Sequence, residues 1–236
     1  MNLATEAGIP IECHYVATED GYNLRLYRLP PEERNTTDGN HLRTMFLMHG
    51  LLASSPMYIT YLEHSAVWIA NARGNSFSRN HTKLNPDEEQ FWEFSWHEIG
   101  FFDLPAMIDY VLMQTGQKQL IYIGHSQGVT SAFVMLSERP EYNEKIAFLV
   151  FQIKLKIFQL QNLVPAGCSY RQFIHYGQLA TSGRFQKFDY GSTENLKLYG
   201  TPNPPEYNYS NIKTKIHIMY GTHDYLVMQK VRSIHK

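Results

Sequence analysis

The feature that most constrains the fold of this chain is a short apolar run, followed directly by a Gly-x-Ser-x-Gly sequence and then by a helix-forming stretch. Residues 120–123 have the length and apolar character of a buried strand, and residues 129–137 are apolar enough for a packed helix. The two glycines of residues 124–128 allow the flanking chains to approach closely. The pattern therefore predicts that Ser126 lies on a strained turn between strand and helix, with its hydroxyl directed out of the sheet.

Other strand-like stretches extend this unit into a sheet. They lie at residues 11–16, 22–29, 44–48, 66–70, 146–151 and 215–220. The apolar residues of 98–113 are close to helical spacing, and the alternation of strands and helices across 98–151 is typical of a parallel sheet with crossover helices. The Asp-Gly turn at Gly21 predicts an N-terminal hairpin. We expect one α/β domain over 1–236, with a mostly parallel sheet and an antiparallel hairpin at its start.

Residues 160–214 differ from the rest of the chain in composition and in hydrophobic periodicity. They are rich in Gly, Pro, Asn, Ser and Tyr and show little periodicity. We expect loops and short helices laid over the sheet in this stretch.

The composition excludes several classes of protein. The 236 residues carry a net charge of −1, so no basic field attracts nucleic acid. No apolar run approaches the roughly 20 residues of a membrane-spanning helix, and the first twenty residues lack the pattern of a signal peptide. The two cysteines, Cys13 and Cys168, cannot form a disulfide scaffold or a cysteine-rich metal site, and their spacing does not say whether they pair. Asn-x-Ser/Thr triplets begin at Asn35, Asn80 and Asn208.

An acyl-transfer reaction at Ser126 would need two N–H donors for the developing oxyanion. In a strand–serine–helix site, one donor is the residue after the serine, here Gln127, and the other follows an earlier strand. The sequence His-Gly-Leu-Leu of residues 49–52 follows the run 44–48, which makes the backbone N–H of Leu51 the candidate. An ordinary turn that ends a strand is the alternative interpretation of these residues.

The chain order of such sites is serine, acid, histidine. After Ser126 the aspartates are Asp189 and Asp224, and only Asp224 follows a strand-like run. It therefore lies where a parallel strand ends, and Asp189 does not. His235 is the histidine that follows Asp224, but along a helix it would lie about 15 Å away from it. The catalytic base is therefore left open.

Taken together, these residues resemble the acid lipase family, which contains lysosomal acid lipase, gastric lipase and many insect lipases. The similarity extends beyond the serine turn to most of the chain. It is carried by residues 15–22, 49–54, 67–79, 91–106, 165–169 and 185–191.

The resemblance implies an α/β-hydrolase that cleaves carboxylic esters of neutral lipids, triacylglycerols or steryl esters, through an acyl-enzyme. It implies Ser126 as nucleophile, Asp224 as the triad acid, and Leu51 and Gln127 as oxyanion donors. No metal and no organic cofactor is implied. The implied partners are a lipid ester substrate and, transiently, a lipid surface, and the implied setting is that of a secreted or lysosomal glycoprotein.

The chain departs from the family pattern at three places, the first of which is the lack of the leader that would send it to the secretory route. Only thirteen residues separate Phe151 from Pro165, where the family carries most of a helical cap, so 160–214 is expected to hold a remnant of the cap and its return loops. The sequence also ends soon after Asp224, before the family's last strand and catalytic histidine. Two alternatives follow: a catalytically impaired remnant that binds lipid or a partner, and a small esterase for soluble esters.

Overall fold

The computed structural model of the protein describes residues 11–30, 43–59, 66–152 and 165–219. Within these ranges, seven strands form one sheet in the order β1-β2-β4-β3-β5-β6-β7. The strands are β1 (Glu12–Ala17), β2 (Asn23–Leu29), β3 (Met45–Met48), β4 (Val67–Ala70), β5 (Leu120–His125), β6 (Ile146–Gln152) and β7 (Ile216–Met219).

The direction of the strands confirms the predicted mixed sheet. β1 pairs antiparallel with β2 and β2 antiparallel with β4, whereas every pair from β4 through β3, β5 and β6 to β7 is parallel. The hairpin turns at Gly21, whose φ of +100° suits glycine. An antiparallel start followed by a parallel sheet is the α/β-hydrolase architecture expected from the sequence.

Six helices accompany the sheet in the described part of the chain. They are α1 (Pro56–Ile59), α2 (Trp96–Glu98), α3 (Leu104–Thr115), α4 (Gln127–Glu138), α5 (Tyr170–Ser182) and α6 (Ser192–Tyr199). None of these described helices is both long and apolar enough to cross a membrane.

The core lies on both faces of the sheet because successive strand residues point in opposite directions. On β3, Phe46 and Met48 join the larger cluster, which packs against α3 and α4. Leu47 lies between them in sequence and joins a smaller cluster with Met57 and Tyr58 of α1. Helices therefore cover both faces, as a parallel sheet requires.

The helix predicted over 98–113 is interrupted in the structure. A π-helical turn, Ile99–Asp103, joins α2 to α3. A Cβ added to Gly100 within it would lie 2.5 Å from the carbonyl oxygen of Ser131, so glycine lets this backbone pack directly against α4. Because the apolar residues of this stretch are spaced as in one continuous helix, the sequence did not predict the close contact of Gly100 with α4.

Helix α5 is longer than the short helices expected for this region. Ser169 caps its start by accepting from the N–H of Arg171, and Gly183, with φ of +67°, ends it. Its inward face has helical spacing but is half polar, which is why the sequence showed little periodicity. The residues of this face are Gln172, His175, Tyr176 and Leu179.

Candidate active site

Ser126 lies on the turn between β5 and α4, as the sequence predicts. Its φ of +49° and ψ of −116° are unusual for a residue with a side chain, and its side chain is exposed. Such a conformation costs on the order of 1–3 kcal/mol and persists only where the surroundings enforce it. Here a strand and a helix meet at one residue, so the turn is sharp and the hydroxyl stands clear of the sheet.

The two glycines around Ser126 are required by close approach of the backbone. A Cβ on Gly124 would lie 3.0 Å from the backbone nitrogen of Val129, and one on Gly128 would collide with the carbonyl oxygen of Met48. The Tyr122 hydroxyl donates to the Gly128 carbonyl over 2.7 Å and ties α4 back to the strand. A side chain on Gly128 has no room, and one on Gly124 would press against the start of α4.

The first residue of α4 is Gln127, which is buried. The first N–H groups of a helix have no partner in the preceding turn, and they carry the positive end of the helix dipole. The N–H of Gln127 is one of these groups and adjoins Ser126. Its side-chain Oε1 is buried without a hydrogen-bond partner among the described residues.

The loop after β3 lies directly against the serine turn. A Cβ added to Gly50 would be 3.0 Å from the Cβ of Ser126. The N–H of Ala53 donates to the Gly50 carbonyl over 3.2 Å, which closes a tight turn, and Leu52 within it adopts φ of +62°. The structure thus brings the backbone around Leu51 beside Ser126.

Two other segments hold this loop in place. The N–H of Ala166 donates to the Leu52 carbonyl over 2.7 Å, and the Ala166 carbonyl accepts from the N–H of Ser76 over 2.7 Å. The Asn71 Oδ1 accepts from the N–H of Ser55 over 2.9 Å. The loop is therefore fixed from the segment after β4 and from the strap of residues 165–169.

The imidazole of His49 fills the space beneath the loop. Burial lowers its pKa to about 4, although its hydrogen bond to the Gly50 carbonyl acts in the opposite direction. The ring contacts Ala72 and Asn75 through Nε2. Asn75 lies in the stretch 67–79 that carries the family resemblance, but nothing in its local sequence reveals its contact with His49.

A buried ion cluster anchors the segment that carries Asn75. Arg73 is 1% exposed and donates from Nε to Asp103 over 2.7 Å and from Nη1 to Asp20 over 2.6 Å. Its guanidinium also lies 4.0 Å from the ring centre of Tyr22. Burial raises the pKa of Asp103 to about 6, although the charge of Arg73 acts to lower it. The cluster ties the hairpin turn, the loop after β4 and the π-helical turn together.

The remaining candidates, Asp224 and His235, lie outside the described residues. The strand that leads toward Asp224 is in place, because His125 of β5 pairs with Gln152 of β6, which pairs with Met219 of β7. The chain therefore leaves β7 at the level of the serine turn, two strand spacings or about 10 Å away. The shortened cap expected between Phe151 and Pro165 also falls largely outside the described residues.

The described residues bring an exposed serine hydroxyl and the backbone of the loop after β3 together at one edge of the sheet. In the described ranges, no group of three or more His, Cys, Asp or Glu side chains is placed to hold a metal ion. Of the described histidines, His49 and His175 use both ring nitrogens in buried hydrogen bonds. Neither is therefore available as a base for Ser126.

Comparison with known proteins finds lipases and the alpha/beta hydrolase fold. The chain matches a family model described as a partial alpha/beta-hydrolase lipase region over residues 1–62, and the alpha/beta hydrolase fold over residues 43–152. Lipase 1 of Drosophila melanogaster is 34% identical over 306 residues, covering 97% of this chain and 68% of that protein. The lysosomal acid lipase/cholesteryl ester hydrolase of Homo sapiens is 31% identical over 303 residues, covering 93% of this chain and 76% of that protein.

Fold and serine turn together define an α/β-hydrolase. With these relatives, the chain belongs to the acid lipase family. Both matches run over more residues than the 236 of this chain, so the relatives contain internal residues that have no counterpart here. Among solved structures, naproxen esterase (carboxylesterase NP) from Bacillus subtilis superposes with a TM-score of 0.43 and 16% identity, over 63% of this chain and 45% of that one.

Proposed function

We propose that this protein hydrolyses carboxylic esters of neutral lipids through an acyl-enzyme on Ser126. The observation that carries the proposal is the exposed hydroxyl of Ser126 on a strained turn, with the backbone of Gly50 packed against it. A strained turn is retained where it presents a reacting group, and close backbone approach supplies N–H donors.

The reaction has two halves. The Ser126 oxygen adds to the ester carbonyl while its proton passes to a histidine base, and the N–H groups of Leu51 and Gln127 stabilise the oxyanion. Collapse of this intermediate expels the alcohol, which takes the proton. Water then attacks the acyl-serine in the same way and releases the fatty acid. We assign Asp224 to orient the base, which the chain order places after it.

The substrate class follows from the relatives. One is named a lipase and the other a lysosomal acid lipase/cholesteryl ester hydrolase. We therefore propose triacylglycerols and steryl esters as substrates, both of which present a carboxylic ester between apolar groups.

Contact with a lipid surface is supported by helix α5, which exposes apolar residues. Tyr170, Phe173 and Ile174 are 53%, 49% and 44% exposed and lie on one face at i, i+3 and i+4. This face begins four residues after Ala166, which holds the loop beside Ser126. An exposed apolar face next to an active site is typical of an interface with lipid.

Labelling of the purified chain with a fluorophosphonate probe tests the proposed reaction. We expect the unaltered chain to be labelled and Ser126→Ala not to be, while both unfold at the same urea concentration. Well-folded protein that resists the probe would instead support the catalytically impaired, lipid-binding remnant.

A substrate panel separates the remaining alternatives. We expect hydrolysis of triolein and cholesteryl oleate emulsions, with a rise in rate once substrate forms a separate phase. Activity on a short-chain soluble ester with no such rise would favour a small esterase.

The apolar face of α5 has its own test. Exchange of Phe173 and Ile174 for serine should lower the rate on emulsions by roughly tenfold or more and leave the rate on a soluble ester unchanged. Leu196 and Leu198 of α6 are similarly exposed and serve as the matched control. Equal losses on emulsions in both pairs would contradict a specific lipid-binding face.

We propose that the protein works in the secretory or lysosomal route, where a relative named lysosomal acid lipase belongs. The Asn-x-Ser/Thr triplets at Asn80 and Asn208 support this, because both asparagines are exposed. Expression in a secreting eukaryotic cell should give glycosylated protein whose gel mobility changes on N-glycosidase treatment. If N-glycosidase treatment changes the gel mobility of neither the natural sequence nor the Asn80→Gln and Asn208→Gln variants, this result would count against the secretory or lysosomal route.

A further inference from the structure

The imidazole of His49 is buried and uses both of its ring nitrogens. Nε2 lies 3.0 Å from the backbone nitrogen of Ala72, which can only donate, so Nε2 accepts. Nδ1 lies 2.8 Å from the carbonyl oxygen of Gly50, which can only accept. The hydrogen bonds therefore require the neutral tautomer with its proton on Nδ1.

Asn75 reinforces this assignment because its side chain is held in one orientation. Its Oδ1 accepts from the N–H groups of Phe77 and Ser78 over 2.9 and 3.0 Å. Its Nδ2 consequently faces Nε2 of His49 over 3.1 Å. A proton on Nε2 would point at two N–H donors and find no acceptor, so Asn75 and Ala72 exclude both the other tautomer and the imidazolium.

Burial acts in the same direction as these hydrogen bonds. It lowers the pKa of His49 to about 4, and the electrostatic interaction with neighbouring His125, at the end of β5, acts in the same direction. Arg73, the charged residue on the segment that packs against the ring, is engaged with Asp20 and Asp103. The neutral ring is therefore the state present across the mildly acidic and neutral range.

The hydrogen bond to Gly50 has a consequence for the next N–H. The Gly50 carbonyl and the Leu51 N–H belong to one planar trans peptide, in which they point in opposite directions. Donation from His49, and from the N–H of Ala53, holds that carbonyl and so fixes the direction of the Leu51 N–H. The same peptide lies beside the Cβ of Ser126.

We propose that His49, kept in its neutral tautomer by Asn75, is a positioning residue that aims the Leu51 N–H at the oxyanion formed on Ser126. The inference rests on the proposed function, in which Leu51 is an oxyanion donor. The imidazole does not touch substrate and acts through the Gly50–Leu51 peptide. Loss of one oxyanion donor lowers kcat by about 10²–10³-fold. This factor is the upper limit for the loss of rate when the Leu51 N–H points in a wrong direction.

Two substitutions at His49 separate positioning from a general loss of packing. In His49→Asn the side-chain amide reaches the place of Nδ1 and can still donate to the Gly50 carbonyl. In His49→Gln the amide reaches the place of Nε2, where it can accept from Ala72 and Asn75 but cannot donate to Gly50. Each variant leaves buried polar groups unpaired, so both should lose stability to urea by comparable amounts.

The readout is the maximal rate constant of fluorophosphonate labelling. We expect His49→Gln to lower it by about 10–100-fold with little change in the half-saturating probe concentration, and His49→Asn to retain it within about fivefold. The inference would be overturned if the labelling rate constants of the variants fell in proportion to their urea stability. It would also be overturned if both variants lost the same factor in labelling rate.

An NMR measurement tests the ring without relying on activity. In the unaltered chain at pH 7, ¹⁵N shifts of His49 should show a protonated Nδ1 and an unprotonated Nε2. Asn75→Asp places an acceptor where one of the two donors faces Nε2, so the pH at which Nε2 gains its proton should rise. A protonated Nε2 in the unaltered chain at pH 7, or titration of the ring at the same pH in Asn75→Asp, would overturn the assignment. Failure of the folded, unaltered chain to label would reject the proposed function, and the ring shifts alone would then decide the role of Asn75.

Discussion

Gly50 and Ser126 are packed so closely that a Cβ on Gly50 would lie 3.0 Å from the Cβ of Ser126. Gly50→Ala must therefore push the loop of residues 49–53 away from the serine. We expect the labelling rate with a fluorophosphonate probe to fall by about 10–100-fold, because the oxyanion donor moves with the loop.

Gly177 of α5 offers a matched control for that change. A Cβ added there meets nothing within 4 Å, and alanine is the better helix former by roughly 1 kcal/mol. Gly177→Ala should therefore leave the labelling rate unchanged and raise urea stability slightly. If Gly50→Ala labels as fast as Gly177→Ala, the loop does not serve Ser126.

The backbone of Ser126 stores strain that glycine would release. At φ of +49° and ψ of −116°, a residue without a Cβ is favoured by on the order of 1 kcal/mol or more. Ser126→Gly should abolish labelling and yet raise the free energy of unfolding in urea. Ser126→Ala removes the same hydroxyl and keeps the Cβ, so it should not gain stability. Equal stabilities of the two variants would show that the turn is unstrained.

The ion cluster at Arg73 should be the costliest polar feature to disturb. Asp103→Asn leaves a buried guanidinium with one carboxylate partner, and loss of a buried ionic partner costs about 3–5 kcal/mol. Asp109→Asn is the control, because the ion pair of Asp109 with Lys145 is half exposed and contributes less than about 1 kcal/mol. Urea unfolding of both variants checks the difference, and similar losses would argue against a structural role for the cluster.

Stability should fall in acid because His175 is buried in its neutral form. Burial lowers its pKa to about 4, although its bond to the Gln186 carbonyl opposes this, whereas a histidine in the unfolded chain titrates near 6.5. Between pH 6.5 and 4 the unfolded chain thus binds the extra proton, and stability decreases as the pH falls, by up to about 1.4 kcal/mol per pH unit from this residue.

Glutamine at position 175 can keep the hydrogen bond to Gln186 without titrating. His175→Gln should therefore give a shallower loss of unfolding free energy between pH 6.5 and 4 than the unaltered chain, by about 1.4 kcal/mol per pH unit. Parallel curves for the two proteins would mean that His175 is not buried as a neutral ring.

The parts of the fold that depend on local sequence could be predicted. The hairpin at Gly21, the short apolar strands and the Gly-x-Ser-x-Gly turn each follow from neighbouring residues, and all were found. The direction of the sheet followed from the same pattern, because crossover helices force parallel neighbours.

Features that depend on distant residues could not be predicted. The contact between His49 and Asn75 exists only because β3 and β4 are neighbours and end at the same edge, which no local pattern reveals. Likewise, the inward face of α5 carries Gln172 and His175, whose burial depends on partners such as Ser95 in another part of the chain. A hydrophobic pattern does not reveal a helix that packs through polar side chains.

Ala166 joins two loops of the site by backbone hydrogen bonds alone, one to Leu52 and one to Ser76. Because no side chain takes part, the junction is indifferent to the identity of the residues it connects. The placement of the loop beside Ser126 is therefore decoupled from the side chain that stands at position 166.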